Sequence, residues 1–199
     1  MLYIIVRYIL GPLILLFWRP IVFGRENLRI KDKGIVVSNH RSMADPVLIA
    51  LLSPRIIHFM AKQEIFKSPV GKAFFKMLYA FPVNRKQADL QSLKNALEVL
   101  NQGKIFGIFP EGKRAVTHEL DALERGTAFL AIRSGAPIVP VYIHPDSYRR
   151  WRPIMIVGRA LDVNQIVASA KKSEMVEVVT DKITDAICAL REELDEMLC

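Results

Sequence analysis

The stretch Gly34-Ile35-Val36-Val37-Ser38-Asn39-His40-Arg41-Ser42-Met43-Ala44-Asp45-Pro46 sets an apolar run against a polar loop and the loop against a helix entrance. The run Gly34-Ile35-Val36-Val37 is short, β-branched and bounded by turn formers, so it predicts a buried strand whose end delivers His40 into a loop. Asp45-Pro46 predicts a helix start, with Asp45 or Ser42 as the cap and Pro46 in the first turn. A histidine at a strand end and an aspartate at the next helix start can meet across one loop, pairing a base with its orienting carboxylate. Taken alone the pair is a weak signal, because a chain of this composition supplies a His five residues before an Asp about 0.2 times by chance.

Outward from this stretch, short apolar runs alternate with helical segments. Strands are predicted at 35–38, 56–60, 80–83, 105–109, 138–143 and 154–157. Leu90, Leu93, Leu97 and Leu100 recur at helical spacing, and Asn101-Gln102-Gly103 stops that helix. The segment 173–198 repeats the pattern with Val178, Val179, Ile183, Ile187, Leu190 and Leu194, an amphipathic helix packed on the sheet. The segment 69–81 carries Phe74, Phe75, Met77, Leu78 and Tyr79, which read as core or as the lining of an apolar groove. Strands alternating with helices predict an α/β fold with a mostly parallel sheet flanked by helices, whose chemistry gathers beyond the carboxyl ends of the strands. His40, Arg85 and Glu111 all follow such ends.

The 199 residues are 51% hydrophobic, enough for one domain with a real core. Lys and Arg number 28 against 20 Asp and Glu, a formal charge of +8, so anionic partners are expected. A mean hydropathy of +0.22 is high for a soluble nucleic-acid binder, and the chain has no basic run interleaved with aromatics, no zinc-finger spacing and no recognition helix. Nucleic acid is therefore not an expected partner, and lipid phosphates are. Cys188 and Cys199 make neither a disulfide framework nor a metal site, so a reducing cytoplasm is expected.

Residues 2–17 are apolar but interrupted by Arg7 and the breaker pair Gly11-Pro12. As a helix they would extend about 24 Å, short of a hydrocarbon core of about 30 Å. The run ends in Phe17-Trp18-Arg19-Pro20, not in the small residues of a secretory cleavage site. Residues 1–22 are therefore expected to be an interfacial helical motif lying in one leaflet, bent at Gly11-Pro12, with residues 23–199 as the main domain. Arg25, Arg29, Lys31 and Lys33 follow at once and suit an acidic leaflet.

Gly107-Ile108-Phe109-Pro110-Glu111-Gly112-Lys113-Arg114 nearly matches a phosphate-binding loop. It fails because Arg114 replaces the metal-ligating Ser or Thr, Pro110 removes an N–H, and Glu111 adds negative charge where N–H groups should cradle phosphate. A Gly-x-Ser-x-Gly elbow for a serine nucleophile is also missing. His58, His118 and His144 have no partner at useful spacing and read as structural or solvated.

Four segments nonetheless resemble, in order and rough spacing, the four blocks of the glycerolipid acyltransferases: Asn39-His40 with Asp45; Phe81-Pro82-Val83-Asn84-Arg85; Phe109-Pro110-Glu111-Gly112 with Arg114; and Ile138-Val139-Pro140-Val141-Tyr142-Ile143. The likeness covers about residues 22 to 145 and is greatest to the bacterial 1-acylglycerol-3-phosphate acyltransferases. The N-terminal segment likewise looks like the two-helix membrane motif of the bacterial enzymes. One departure stands out: the third block usually continues Gly-Thr-Arg-Ser, whereas here Gly112-Lys113-Arg114-Ala115 keeps the arginine and loses the hydroxyls.

The resemblance implies the glycerolipid acyltransferase fold at the cytoplasmic face of the cell membrane. It also implies acyl transfer from acyl-CoA or acyl carrier protein to the free hydroxyl of lysophosphatidic acid. Alternatives are a relative that acylates glycerol 3-phosphate or another lysolipid, and a catalytically silent lipid-binding membrane protein. An imidazole of unperturbed pKa about 6.5 is mostly a base at pH 7, and a carboxylate on its other nitrogen fixes its tautomer, which suits His40 and Asp45. The acceptor hydroxyl stands where a hydrolase has its serine, so no acyl-enzyme, cofactor or metal is required. Arginine forks match phosphate oxygens, which points to Arg85 and Arg114 for the acceptor phosphate. By resemblance, Glu111 and Gly112 shape the acceptor site. Lys113 and Lys62 are further candidates for added charge. Oxyanion donors are expected among backbone N–H groups near His40 or in the Glu111-Gly112 loop.

Overall fold

In the computed structural model, which describes residues 6–77, 79–83, 90–112, 122–148 and 152–199, the chain enters through a π-helical turn at Val6–Leu10 and helix α1 (Gly11–Trp18). There follow β1 (Ile21–Phe23), β2 (Gly34–Ser38), α2 (Asp45–Leu52), β3 (Ile57–Lys62), α3 (Pro69–Met77), β4 (Phe81–Val83) and α4 (Leu90–Asn101). The chain continues through β5 (Ile105–Ile108), α5 (Gly126–Ser134), β6 (Ile138–Ile143), β7 (Ile154–Val157), α6 (Val163–Val167) and α7 (Met175–Leu198).

The seven strands form one sheet in the order β1-β7-β6-β2-β5-β3-β4. From β6 to β4 every pairing is parallel, as expected where helices cross over between strands. β7 turns back antiparallel on β6, and β1 runs parallel to β7. The pleat sends alternate residues to opposite faces, and both faces are covered. Ile35 and Val37 pack with Ala96 of α4, Leu130 of α5 and the Val179, Ile183, Ile187, Leu190, Leu194 stripe of α7. Val36 packs the other way, with Leu48, Ile49 and Leu52 of α2.

The helices that follow the adjacent strands β2 and β5 thus cover opposite faces, which opens a crevice at their carboxyl ends. That is the switch point where α/β sheets place ligands. The mostly parallel, helix-flanked sheet expected from sequence is the architecture found.

Three departures from the sequence reading stand out. β1 is an extra strand whose three residues lie across the 22/23 boundary expected between the two units. The helix expected over 69–81 ends by Met77, and Phe81 opens β4. Helix α4 is rotated from the leucine stripe: its buried line runs through Ser92, Ala96 and Leu100, while Leu90 is exposed. Its stop is as expected, with Gly103 at φ 69°, Gly103 N–H bonded to Leu100 O and Lys104 N–H to Val99 O.

The break at Gly11-Pro12 is a change of winding, from the π-helical turn into α1. Among the described residues, no helix is long and apolar enough to cross a membrane. The segment nevertheless exposes Tyr8, Ile9, Leu10, Leu13, Leu16 and Phe17.

His58 lies on β3 with its ring edge-on to Tyr79, 5.3 Å between centroids. Burial, and then the nearby Lys104 charge, push its pKa down to about 4, against partial support from a hydrogen bond to the Tyr79 backbone. Below about pH 6.5 the unfolded chain therefore binds a proton at this residue that the folded chain refuses. Its effect is to erode stability as pH falls from 6.5 to 4, and the erosion stops growing below 4. Urea unfolding across that window should show a smaller loss of stability for His58→Gln than for the wild type.

Candidate active site

The loop that leaves β2 is fixed before any chemistry is considered. Asn39, 4% exposed, extends the β2–β6 ladder with its side chain: Nδ2 donates to Ile143 O at 2.9 Å, and Oδ1 accepts from Ile143 N–H at 2.7 Å. His40 N–H donates to Glu111 Oε1 at 3.1 Å, tying the loop to the segment after β5. The third tie is Asp45, which is fully buried.

Asp45 Oδ2 accepts from Arg41 N–H at 2.6 Å and from Ser42 N–H at 2.8 Å, and it lies 2.9 Å from His40 Nδ1. Oδ1 accepts from the Tyr148 hydroxyl at 2.7 Å. The carboxylate therefore folds the loop back on itself instead of capping α2; neither Asp45 nor Ser42 caps that helix, and Ser42 Oγ accepts from Ala44 N–H within the turn. A carboxylate on Nδ1 selects the tautomer with its proton there, which leaves the lone pair on Nε2.

The His40 ring stacks on Phe109, 4.2 Å between centroids and 24° between planes. Phe109 in turn stacks on Phe59, at 5.9 Å and 13°. Room for Phe59 comes from Gly107, its partner across β3 and β5, where a Cβ would lie 2.3 Å from the Phe59 ring. A missing side chain on the central sheet thus supports the ring beneath the histidine.

Glu111 is 5% exposed, and its Oε1 holds the His40 loop. Gly112 sits at φ 65°, the left-handed region that favours glycine, and a Cβ there would lie 2.3 Å from Glu124 Oε1. Of the N–H groups expected to serve an oxyanion, those of His40, Arg41 and Ser42 already donate to carboxylates, and that of Gly112 donates to Phe109 O.

His40, Asp45, Glu111 and Gly112 are thus brought together at the carboxyl edge of β2 and β5. Lys62 is the last residue of β3, in register with Val83 at the end of β4. Arg85, Lys113, Arg114 and His118 lie outside the described residues. Sequence reasoning did not find Tyr148, which is 103 residues from Asp45, nor the partner of His144, whose Nε2 lies 3.7 Å from Asp195 Oδ1.

Comparison with known proteins bears on the family and the fold. A family model described as Acyltransferase matches residues 19–144. A Bacillus subtilis protein named 1-acyl-sn-glycerol-3-phosphate acyltransferase is 30% identical over 182 residues, covering 88% of this chain and 90% of its own. A Streptococcus pneumoniae protein of the same name is 29% identical over 200 residues, covering 94% of this chain and 73% of its own. The crystal structure of the Thermotoga maritima 1-acyl-sn-glycerophosphate acyltransferase PlsC superposes with a TM-score of 0.70 over 93% of this chain and 81% of that one, at 23% identity; this likeness carries the fold.

The stack makes a direct test of the site's support. Gly107→Ala should cost the ~1–3 kcal/mol of an overpacked core in urea unfolding, and it should move the ring-proton resonances of His40 although it touches neither His40 nor Asp45. An unchanged His40 spectrum would mean that the Phe59–Phe109 stack does not support the histidine.

Proposed function

The chain belongs to the acyltransferase family, and from that premise we propose that it moves a fatty acyl group from acyl-CoA or acyl carrier protein to the sn-2 hydroxyl of 1-acylglycerol 3-phosphate, making phosphatidate. The observation that carries the reading is the 2.9 Å contact of His40 Nδ1 with a carboxylate that is wholly buried and held by three further donors. An alcohol must lose its proton as it attacks, and a neutral imidazole oriented in this way is built to take it.

In the proposed step, Nε2 of His40 removes the hydroxyl proton as the oxygen adds to the thioester carbonyl. The tetrahedral intermediate collapses to the ester and expels a thiolate. With a thiol pKa of about 8.5, that thiolate leaves readily and recovers the proton from the imidazolium. Asp45 stabilises the imidazolium without itself being protonated.

Arg85 and Arg114 are assigned to the acceptor phosphate, with Lys62 and Lys113 adding charge and Glu111 and Gly112 shaping the loop beside it. An open apolar cleft lined by Leu13, Ile14, Phe17, Trp18, Met43, Ala44 and Val47 supports the passage of an acyl chain. Met43 and Ala44 belong to the interval between His40 and Asp45, so a chain in this cleft lies beside the dyad. The apolar side chains exposed at Tyr8 to Phe17, with Arg19, Arg25, Arg29, Lys31 and Lys33 following, support residues 1–22 as an interfacial anchor at the cytoplasmic face, with residues 23–199 carrying the chemistry.

A donor-by-acceptor activity matrix on purified protein tests the reading, with lysophosphatidate expected to be the preferred acceptor over glycerol 3-phosphate. His40→Ala should lower transfer at least about 100-fold, and unchanged transfer would remove the assigned base. Glu111→Gln, which keeps an oxygen for His40 N–H, should retain more activity than Glu111→Ala. Leu13→Glu with Phe17→Glu should weaken sedimentation with anionic phospholipid vesicles; equal binding would refute the anchor.

A further inference from the structure

The motif that predicts the dyad says nothing of Tyr148, yet the Tyr148 hydroxyl completes the coordination of Asp45. Oδ2 already receives His40 Nδ1, Arg41 N–H and Ser42 N–H, whereas Oδ1 accepts from the Tyr148 hydroxyl at 2.7 Å. Burial, and then the Asp45 charge beside it, raise the Tyr148 pKa far above that of an ordinary phenol, so the hydroxyl keeps its proton and donates.

The tyrosine is itself held from two sides. Its neighbour Ser147 is fully buried and closes the turn onto β7, where Oγ donates to Ile154 O at 2.8 Å and accepts from Ile154 N–H at 3.0 Å. Its ring meets Trp18, the last residue of α1, edge-on with 6.5 Å between centroids and 78° between planes.

We propose that Tyr148 is a positioning residue that sets the charge Asp45 presents to His40 and couples it, through Trp18, to the seating of α1. The proposal rests on the reading of His40 as the base. A hydroxyl on Oδ1 draws carboxylate charge away from Oδ2. Without it, Oδ2 grips Nδ1–H harder, the imidazolium is favoured, and the base is neutral over a narrower range of pH. Among the described residues, Glu111 faces the dyad through the hydrogen bond it accepts from His40 N–H, and Arg41 lies in the same loop, where its backbone N–H donates to Asp45. Both are retained in every variant below, so their contributions cancel in the comparison.

Tyr148→Phe keeps the ring and removes only the hydroxyl. In the full-length protein, with acyl thioester and micellar lysophosphatidate, it should lower kcat roughly tenfold with little change in acceptor KM, and it should move the acid limb of the pH–rate profile up by about 0.5 unit or more. On the substrate-free protein, the His40 Nδ1–H proton resonance should move downfield. Trp18→Ala, or the milder Trp18→Leu, should displace the acid limb and the resonance in the wild-type background and displace neither once Tyr148 is Phe. An acid limb and a resonance unmoved by Tyr148→Phe would overturn the positioning role. Trp18 effects of equal size in both backgrounds would overturn the coupling. Should the wild type transfer no acyl group, the functional reading fails, while the resonance still decides the case of Tyr148.

Discussion

A carboxylate with no exposure to solvent must be satisfied entirely by the protein, and Asp45 imposes that requirement on everything around it. Removing such a group from water costs several kcal/mol, offset only when donors meet both oxygens. Each hydrogen bond to a charged group returns ~1.5–3 kcal/mol, so the four around Asp45 are of the size needed. Two of those donors are backbone N–H groups of the loop after β2, which can reach Oδ2 only if the chain curls round the carboxylate. The curl presents His40, and the Asn39 and Glu111 contacts keep it from unwinding. The shape of the loop is therefore a consequence of burying one charge.

The same requirement constrains the chemistry. A loop whose N–H groups neutralise protein carboxylates is rigid, but those groups have nothing left for a reacting carbonyl. In the proposed reaction, stabilisation of an oxyanion would fall to other donors, and the sequence offers positive charge at its arginine and lysine positions after β4 and β5. On the proposed reading, the loop supplies a preorganised base, held from β5, β6 and α2, and the binding of anions is left to residues outside it.

Much of the fold was legible because it rests on local pattern. The runs at 35–38 and 138–143 are short, apolar and bounded by turns, and burial on both faces of a parallel strand leaves that signature. The α7 stripe was legible for the same reason at helical period. β1 was not, because Ile21–Phe23 merges with the apolar segment before it and becomes a strand only by pairing with β7, more than 130 residues on. The rotation of α4 was hidden because its buried line runs through the small residues Ser92 and Ala96, which carry little apolar signal; Ser92 Oγ donates to Pro82 O at 3.2 Å. Within the site, His40 and Asp45 were legible through a five-residue spacing, whereas Tyr148 and the Gly107–Phe59 accommodation depend on strand order and leave no mark in local sequence.

The reversal of β7 and β1 has a mechanical consequence. Because β1 runs against the parallel strands, its first residue, Ile21, pairs with Ile154 at the edge where β6 ends. The two residues that join α1 to β1 therefore leave the helix beside the dyad instead of at the far edge of the sheet, with slack of at most ~7 Å. Arg19 is fixed in a left-handed conformation, with its N–H on Leu15 O, and its carbonyl accepts from Arg152 Nε at 3.3 Å. If α1 seats the protein in a surface, as proposed, this joint would act as a depth gauge: how far the helix sinks would set the height at which His40 stands above it. A substrate that protrudes from the same surface would be measured against a fixed ruler, and lengthening the 19–20 joint would detune reach without touching a reacting group.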